Sequence, residues 1–181
     1  MKLEKLSICD ADSLYRLLHD AHKSNERMGI YFTTGSVSDY TVKQHIKRIP
    51  TFAYKDIKNN LVSTVSITLP WIDSEILPLP NISWFATNPE YKNQGFGRKI
   101  INDVVKAYVE DTLNAPAVTL NTAVNHPWLK EFYISLGFLP MFKVRLVSDH
   151  ESIYMIKILN KYSLKEVSNG NIKKFLDMHN V

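Results

Sequence analysis

Cysteine is almost missing from this chain. Cys9 stands alone among 181 residues, which excludes an internal disulfide and any metal cluster built on several thiolates. Its place among alternating apolar residues predicts a buried strand thiol, not a nucleophile. Long apolar runs are also lacking: none approaches the ~20 residues needed to cross a bilayer. The opening, MKLEKLSICDAD, has no signal-peptide core. The expectation is a cytoplasmic protein with no membrane partner and no metal. No internal repeat, low-complexity block or linker divides the chain, and its like charges are not clustered.

What is present suits one domain with a single sizeable core, since 45% of the residues are apolar and 22% charged. Lysine and arginine number 22 against 18 acids, a net charge of +4. That excess suits a polyanionic ligand such as a nucleotide cofactor. The basic residues are scattered, which argues against a nucleic-acid surface.

Hydrophobic spacing gives the order of elements. Lys2 to Cys9 reads as a strand. Asp10 or Asp12 caps a helix with Leu14, Leu17, Leu18 and Ala21 inward. An irregular aromatic stretch follows, with Met28, Ile30, Tyr31 and Phe32. A second helix is capped by Ser38 or Asp39, carries Val42, His45, Ile46 and Ile49 inward, and ends at Pro50. Thr51–Asp56 and Leu61–Leu69 form a hairpin across Lys58-Asn59-Asn60. Pro70 to Pro80 is read as a loop, Asn81–Thr87 as a strand, and a helix follows to about Thr112. Ala117–Val124 is a strand. A helix starting at Pro127 carries Trp128, Leu129, Phe132, Tyr133 and Leu136 on its apolar side and stops at Gly137. Phe138–Val147 and Ser152–Leu159 close the pattern. Residues 161–181 are expected to form an extension holding a short helix capped by Asn169 or Asn171. The fold class is α/β (α+β): a mixed, mostly antiparallel sheet of about seven strands with helices on both faces.

The stretch WFATNPEYKNQGFGRK, Trp84 to Lys99, organises the reading. A β-prone run leads through a turn into Lys92, Asn93, Gln94, Gly95, Phe96 and Gly97, and a helix then begins. Strand, glycine loop and helix start in that order make an anion site. Glycines admit a phosphate to backbone N–H groups, and the positive end of the helix stabilises its charge. Arg98 and Lys99 stand where the helix dipole disfavours cations, a cost that a bound polyanion would offset. The three glycines and distant acid of a dinucleotide-binding loop are lacking, as is the Gly-Lys-Ser/Thr of a nucleotide triphosphate loop.

With Phe132-Tyr133-Ile134-Ser135-Leu136-Gly137-Phe138 forty residues on, the pattern resembles the GNAT superfamily of acyl-CoA-dependent N-acetyltransferases. There the loop reads Gln/Arg-x-x-Gly-x-Gly/Ala and the later helix ends Tyr-x-x-x-Gly-Phe. The resemblance covers residues 1 to 160 in element order and Ile82 to Phe138 in motifs. It implies acetyl-CoA as cofactor, with its diphosphate on backbone N–H groups from Gln94 to Lys99 and its pantetheine arm along Phe85, Ala86 and Thr87. It implies Tyr133 as the acid that protonates the departing thiolate. His126 falls where members commonly place a cofactor-contacting Asn, and Lys92 where Gln or Arg is usual. Asn81 and Asn121 stand at the usual glutamate positions, so the general base is unassigned. Ordered water, His126, Asp73, Glu75, Asp149, His150 and Glu151 are the alternatives.

The implied activity is acetyl transfer to the primary amine of a small molecule or peptide. A non-catalytic acyl-CoA sensor of the same fold is one alternative, and a modifier of aminoacyl-tRNA or a ribosomal protein is another. A homodimer is compatible with all three.

Overall fold

The computed structural model describes residues 1–26, 33–73, 76–147 and 150–180. The order is β1 (Leu3–Lys5), α1 (Ala11–Glu26), α2 (Asp39–Arg48), β2 (Thr51–Lys55), β3 (Leu61–Thr68), α3 (Pro70–Asp73), β4 (Asn81–Thr87), α4 (Phe96–Val104), β5 (Ala117–Ala123), α5 (Pro127–Ile134), β6 (Leu139–Val147), β7 (His150–Ile158), α6 (Lys161–Lys165) and α7 (Gly170–His179). The strands form one seven-stranded sheet ordered β1-β2-β3-β4-β5-β7-β6. β1/β2, β2/β3, β5/β7 and β6/β7 pair antiparallel. β4 and β5 pair in parallel, with Asn81 opposite Thr119 and Ile82 opposite Leu120. The mostly antiparallel sheet expected from the sequence is the one found. The chain packs as two units, the first Met1–Ile67 with Ser83–Val104, the second Thr68–Ile82 with Val105 onward.

In the first unit α1 turns its predicted stripe inward: Leu14, Leu17, Leu18 and Ala21 are buried with Val42, Ala53, Leu61 and Ala86. Successive strand residues face opposite sides, so Tyr54 leaves that cluster and meets α4. There its hydroxyl donates to Asp103, whose carboxylate also takes the Lys99 ammonium at 2.6 Å. Helices thus cover both faces of this part of the sheet. Ser38 caps α2 by accepting from the Thr41 N–H. The β2–β3 turn holds Asn59 at φ 67°, and the Asp56 carboxylate gathers the Lys58 and Asn60 N–H groups at 2.8 Å each.

In the second unit Pro127 opens α5 and Gly137, at φ 87°, ends it. A left-handed residue just past the helix lets the Phe138 N–H reach the Tyr133 carbonyl at 3.1 Å. Asn160 caps α6 and Asn169 caps α7. Leu164, Ile172 and Phe175 from these helices are buried with Leu77, Leu79, Ala117, Tyr154 and Ile156.

Four readings of the sequence need correction. Cys9 is exposed: the Ser7 N–H and hydroxyl both bond the Asp10 carboxylate, which turns the chain into a 3-10 helix over Ile8–Asp10 and ends the strand early. The proline-rich loop contains α3, opened by Pro70 as helices tolerate at their first position. The long helix after the glycine loop is α only to Val104 and then widens into a π-helix over Val105–Glu110. Its later bonds span five residues, Asp111 N–H to the Lys106 carbonyl and Leu113 N–H to that of Tyr108. Trp128, placed on the apolar side of α5, is 53% exposed. The aromatic stretch with Met28, Ile30, Tyr31 and Phe32 lies outside the described residues.

Candidate active site

The first unit gathers the candidate anion loop. A 3-10 turn over Pro89–Tyr91 is capped by Asn88, whose side chain accepts from the Glu90 N–H. Asn93 at φ 62° and Gly95 at φ 82° then fold the chain back into α4. Asparagine and glycine are the residues that enter this left-handed conformation most readily. The first bond of α4 runs from the Lys99 N–H to the Gly95 carbonyl at 3.0 Å. The preceding N–H groups are those an α-helix leaves outside its own ladder.

Gly97 is needed for a different reason. Its φ is ordinary, but a Cβ there would stand 2.9 Å from the Phe85 ring tip and 3.2 Å from the Thr87 hydroxyl. The loop therefore seats directly on Phe85 and Thr87. Thr87 is fixed in turn: its hydroxyl lies 3.1 Å from that of Ser63, which also donates to the Ala86 carbonyl at 3.0 Å. Gly97 thus abuts Phe85 and Thr87, while Ala86 between them is buried in the core beneath α1.

Lys99 and Gln94 make side-chain bonds within the unit. Lys99 bonds Asp103 and Tyr54, and Asp103 beside it raises its pKa. Gln94 donates its amide to the Glu90 carbonyl at 3.1 Å. Gly95, Lys92 and Arg98 are exposed. Exposed backbone donors, a glycine pressed on the strand and a guanidinium at the helix start fit a diphosphate.

Upstream in the same strand, Trp84 has φ 47°. A bulky residue in the left-handed region costs about 1–2 kcal/mol, and such strain persists only where the surroundings enforce it. The His45 ring of α2 stacks on the indole. Burial pushes the His45 pKa down to about 4. His22 on α1 is also held to about 4, by burial first and then by the charges of Lys92 and His19, and it lies 3.0 Å from the Thr34 hydroxyl.

The second unit carries the other two candidates, both at α5. Tyr133 is 6% exposed, with its ring edge-on to Phe132 at 5.3 Å and to Phe138 at 6.0 Å. Burial drives its phenol pKa well above the usual value, which keeps it protonated at pH 7. His126 is buried at the N-terminal boundary of α5, with no side-chain cap bond to the helix.

Of the residues at glutamate positions, Asn81 donates its amide to the Thr119 hydroxyl at 3.0 Å, and Asn121 is exposed. Glu151 pairs with Lys143 at 2.9 Å. Glu75 and Asp149 lie outside the described residues, as do the side chains of Asp73 and His150. Among the described residues no group of histidines, cysteines and carboxylates is placed to hold a metal, and no helix is long and apolar enough to cross a membrane. An open cleft of about 540 Å³ in the first unit is lined by Arg16, Lys23, Asp56, Glu90 and Tyr91 among others. Its walls carry both signs of charge and none of the candidate residues.

Sequence reasoning placed His45 inward on α2 but saw no role for it. A histidine on an otherwise apolar face was the available signal. The Tyr54–Asp103–Lys99 cluster joins positions too far apart to show any local pattern.

Similarity to known proteins identifies the family. Residues 12–138 match the model of the Acetyltransferase (GNAT) family. An S-alkylcysteine N-acetyltransferase of Bacillus subtilis (strain 168) is 34% identical over 132 residues, covering 71% of this chain and 73% of that protein. An S-(2-succino)cysteine N-acetyltransferase of the same organism is 29% identical over 152 residues, covering 83% and 91%. Two solved structures share the fold. A spermidine N-acetyltransferase of Vibrio cholerae has TM-score 0.67 at 20% identity, covering 92% of this chain and 100% of that one. A ribosomal-protein-alanine N-acetyltransferase of Brucella melitensis has TM-score 0.70 at 12% identity, covering 88% and 100%. With residues 12–138 matched and a 34% identical relative covering 71% of it, the chain belongs to the GNAT acetyltransferase family and is an acyltransferase.

Proposed function

We propose that this enzyme transfers the acetyl group of acetyl-CoA to the α-amino group of a small amino acid of the S-substituted cysteine class. Backbone N–H groups from Gln94 to Arg98, with the Arg98 guanidinium and the Lys92 ammonium nearby, hold the diphosphate. Phe85, Ala86 and Thr87 offer their backbone to the two amides of the pantetheine arm, as a strand edge does to an added strand. His126 is a further contact to the cofactor. The amine attacks the thioester carbonyl, a backbone N–H of Phe85 or Thr87 donates a hydrogen bond to the developing oxyanion, and Tyr133 gives its proton to the leaving sulfur. The amine's own proton leaves through water, since amides at Asn81 and Asn121 cannot take it.

The observation that carries this reading is the contact of Gly97 with Phe85 and Thr87, which joins the diphosphate loop to the strand that carries the thioester. The substrate class rests on the two cysteine-acetylating relatives. The test is thiol release from acetyl-CoA with S-methylcysteine, spermidine and an alanyl peptide as acceptors. Release with S-methylcysteine well above the other two is expected. Preference for either of the others overturns the substrate class.

A second reading, an acyl-CoA sensor, draws on Asn81, whose amide is engaged with Thr119 where a base would be expected. Cofactor binding without thiol release on any amine would favour it.

A further inference from the structure

The buried polar chain behind Trp84 runs in one direction only. The Thr51 hydroxyl donates its single proton to the Ile49 carbonyl at 3.0 Å. Its oxygen therefore accepts from the Ser66 hydroxyl, 2.9 Å away. Ser66 has then spent its own proton, so its oxygen accepts from Nε2 of His45 at 2.9 Å. Each hydroxyl has one proton, and the sequence of donors fixes His45 as the Nε2–H tautomer. Ser66 and Thr51 are buried at 0% and 1% exposure, which keeps water from competing for these bonds.

The ring so anchored lies flat on Trp84, centroids 3.6 Å apart and planes 9° apart. Trp84 is the strand's left-handed residue at φ 47°, and the backbone of Phe85 to Thr87 follows it directly. An indole that swung free would let the strand relax to ordinary pleating, turning the next N–H groups by a large angle.

We infer that His45 is a positioning residue for acetyl transfer: anchored through Ser66 and Thr51, it holds Trp84 in its left-handed conformation and so aims the Phe85–Thr87 backbone donors. The inference rests on the proposed transfer reaction. His45 needs no contact with substrate in this role, and nothing in it requires proton transfer at the imidazole.

Three variants test it: His45→Ala removes stack and anchor, His45→Phe keeps a flat ring, and Ser66→Ala removes only the anchor. In crystals, the backbone at Trp84 should leave the left-handed region in His45→Ala and keep it in His45→Phe. In solution, His45→Ala should lower kcat roughly 10- to 100-fold, up to the scale of a catalytic group misplaced by about 1 Å. KM for acetyl-CoA should stay nearly constant, because the diphosphate loop is untouched. His45→Phe should recover most of the loss, and Ser66→Ala should lose several-fold. If His45→Ala does not fold, Ser66→Ala and His45→Phe decide alone.

An unchanged φ at Trp84 in the first variant, or wild-type kcat in Ser66→Ala, overturns the inference. So does a loss of kcat matched by an equal rise in KM. A wild-type enzyme that releases no thiol with any amine overturns the transfer reaction instead, and the crystallographic arm still reports on the stack.

Discussion

A Cβ on Gly97 would lie 2.9 Å from Cζ of Phe85, closer than side chains tolerate. The start of α4 and strand β4 are therefore in direct contact, and only a hydrogen fits between them. Gly97→Ala should push the Phe85 ring and Thr87 aside, costing about 1–3 kcal/mol in stability. It should also weaken acetyl-CoA binding by calorimetry. Affinity and melting temperature both unchanged would mean the ring yields freely.

Gly95 makes the contrasting case. Nothing lies within 4 Å of a Cβ there, but its φ is 82°. Gly95→Ala should cost about 1 kcal/mol through backbone strain alone. Gly95→Asn should cost less, because asparagine enters the left-handed region more readily. Denaturant midpoints for the two variants check the order, and a larger loss for asparagine contradicts it.

Two buried histidines should make the fold acid-sensitive. His22 and His45 are held to about 4 in the folded chain against an ordinary value of 6.5. Between pH 6.5 and 4 the unfolded chain binds the extra protons, so stability falls as pH drops through that window and levels off below it. Each site contributes on the order of 2 kcal/mol, allowing for solvent screening. Urea midpoints at pH 7 and pH 5 should differ accordingly. Equal midpoints would show that both imidazoles charge without cost.

Tyr133→Phe separates chemistry from binding. Loss of the proton donor should reduce kcat by about 10²-fold or more, with acetyl-CoA affinity little changed. Single-turnover rates and equilibrium titration measure the two quantities. Equal losses in both, or none, would contradict the assigned role.

The C-terminal helices should be indispensable to the second unit. Leu164, Ile172 and Phe175 are essentially fully buried, and each such side chain contributes about 1.5–3 kcal/mol. Ending the chain after Asn160 removes all three and uncovers Tyr154 and Ile156, which share their cluster. The shortened protein should melt far below the full chain or aggregate. Unaltered melting would mean the cluster is marginal.

Elements whose signals are local were legible in the sequence. The spacing of Leu14, Leu17, Leu18 and Ala21, the Ser38 cap, the Lys58-Asn60 turn and the Pro127–Gly137 limits of α5 all stand where those residues predict. The glycine loop was legible because backbone geometry writes itself into residue type. Contacts between distant positions were not. Cys9 leaves the strand pattern because the Asp10 carboxylate captures Ser7, a bond that alternation does not encode. The π-turns after Val104 follow from hydrogen bonds one residue longer than usual, in a run whose apolar stripe fits either helix. The His45–Trp84 stack depends on α2 meeting β4, which no spacing within either segment announces.

The most direct test of the account is a crystal structure of the chain with coenzyme A bound. The diphosphate should sit within hydrogen-bonding distance of main-chain N–H groups between Gln94 and Arg98, with the sulfur beside the Tyr133 hydroxyl. A diphosphate bound elsewhere, or a sulfur remote from that hydroxyl, would contradict it.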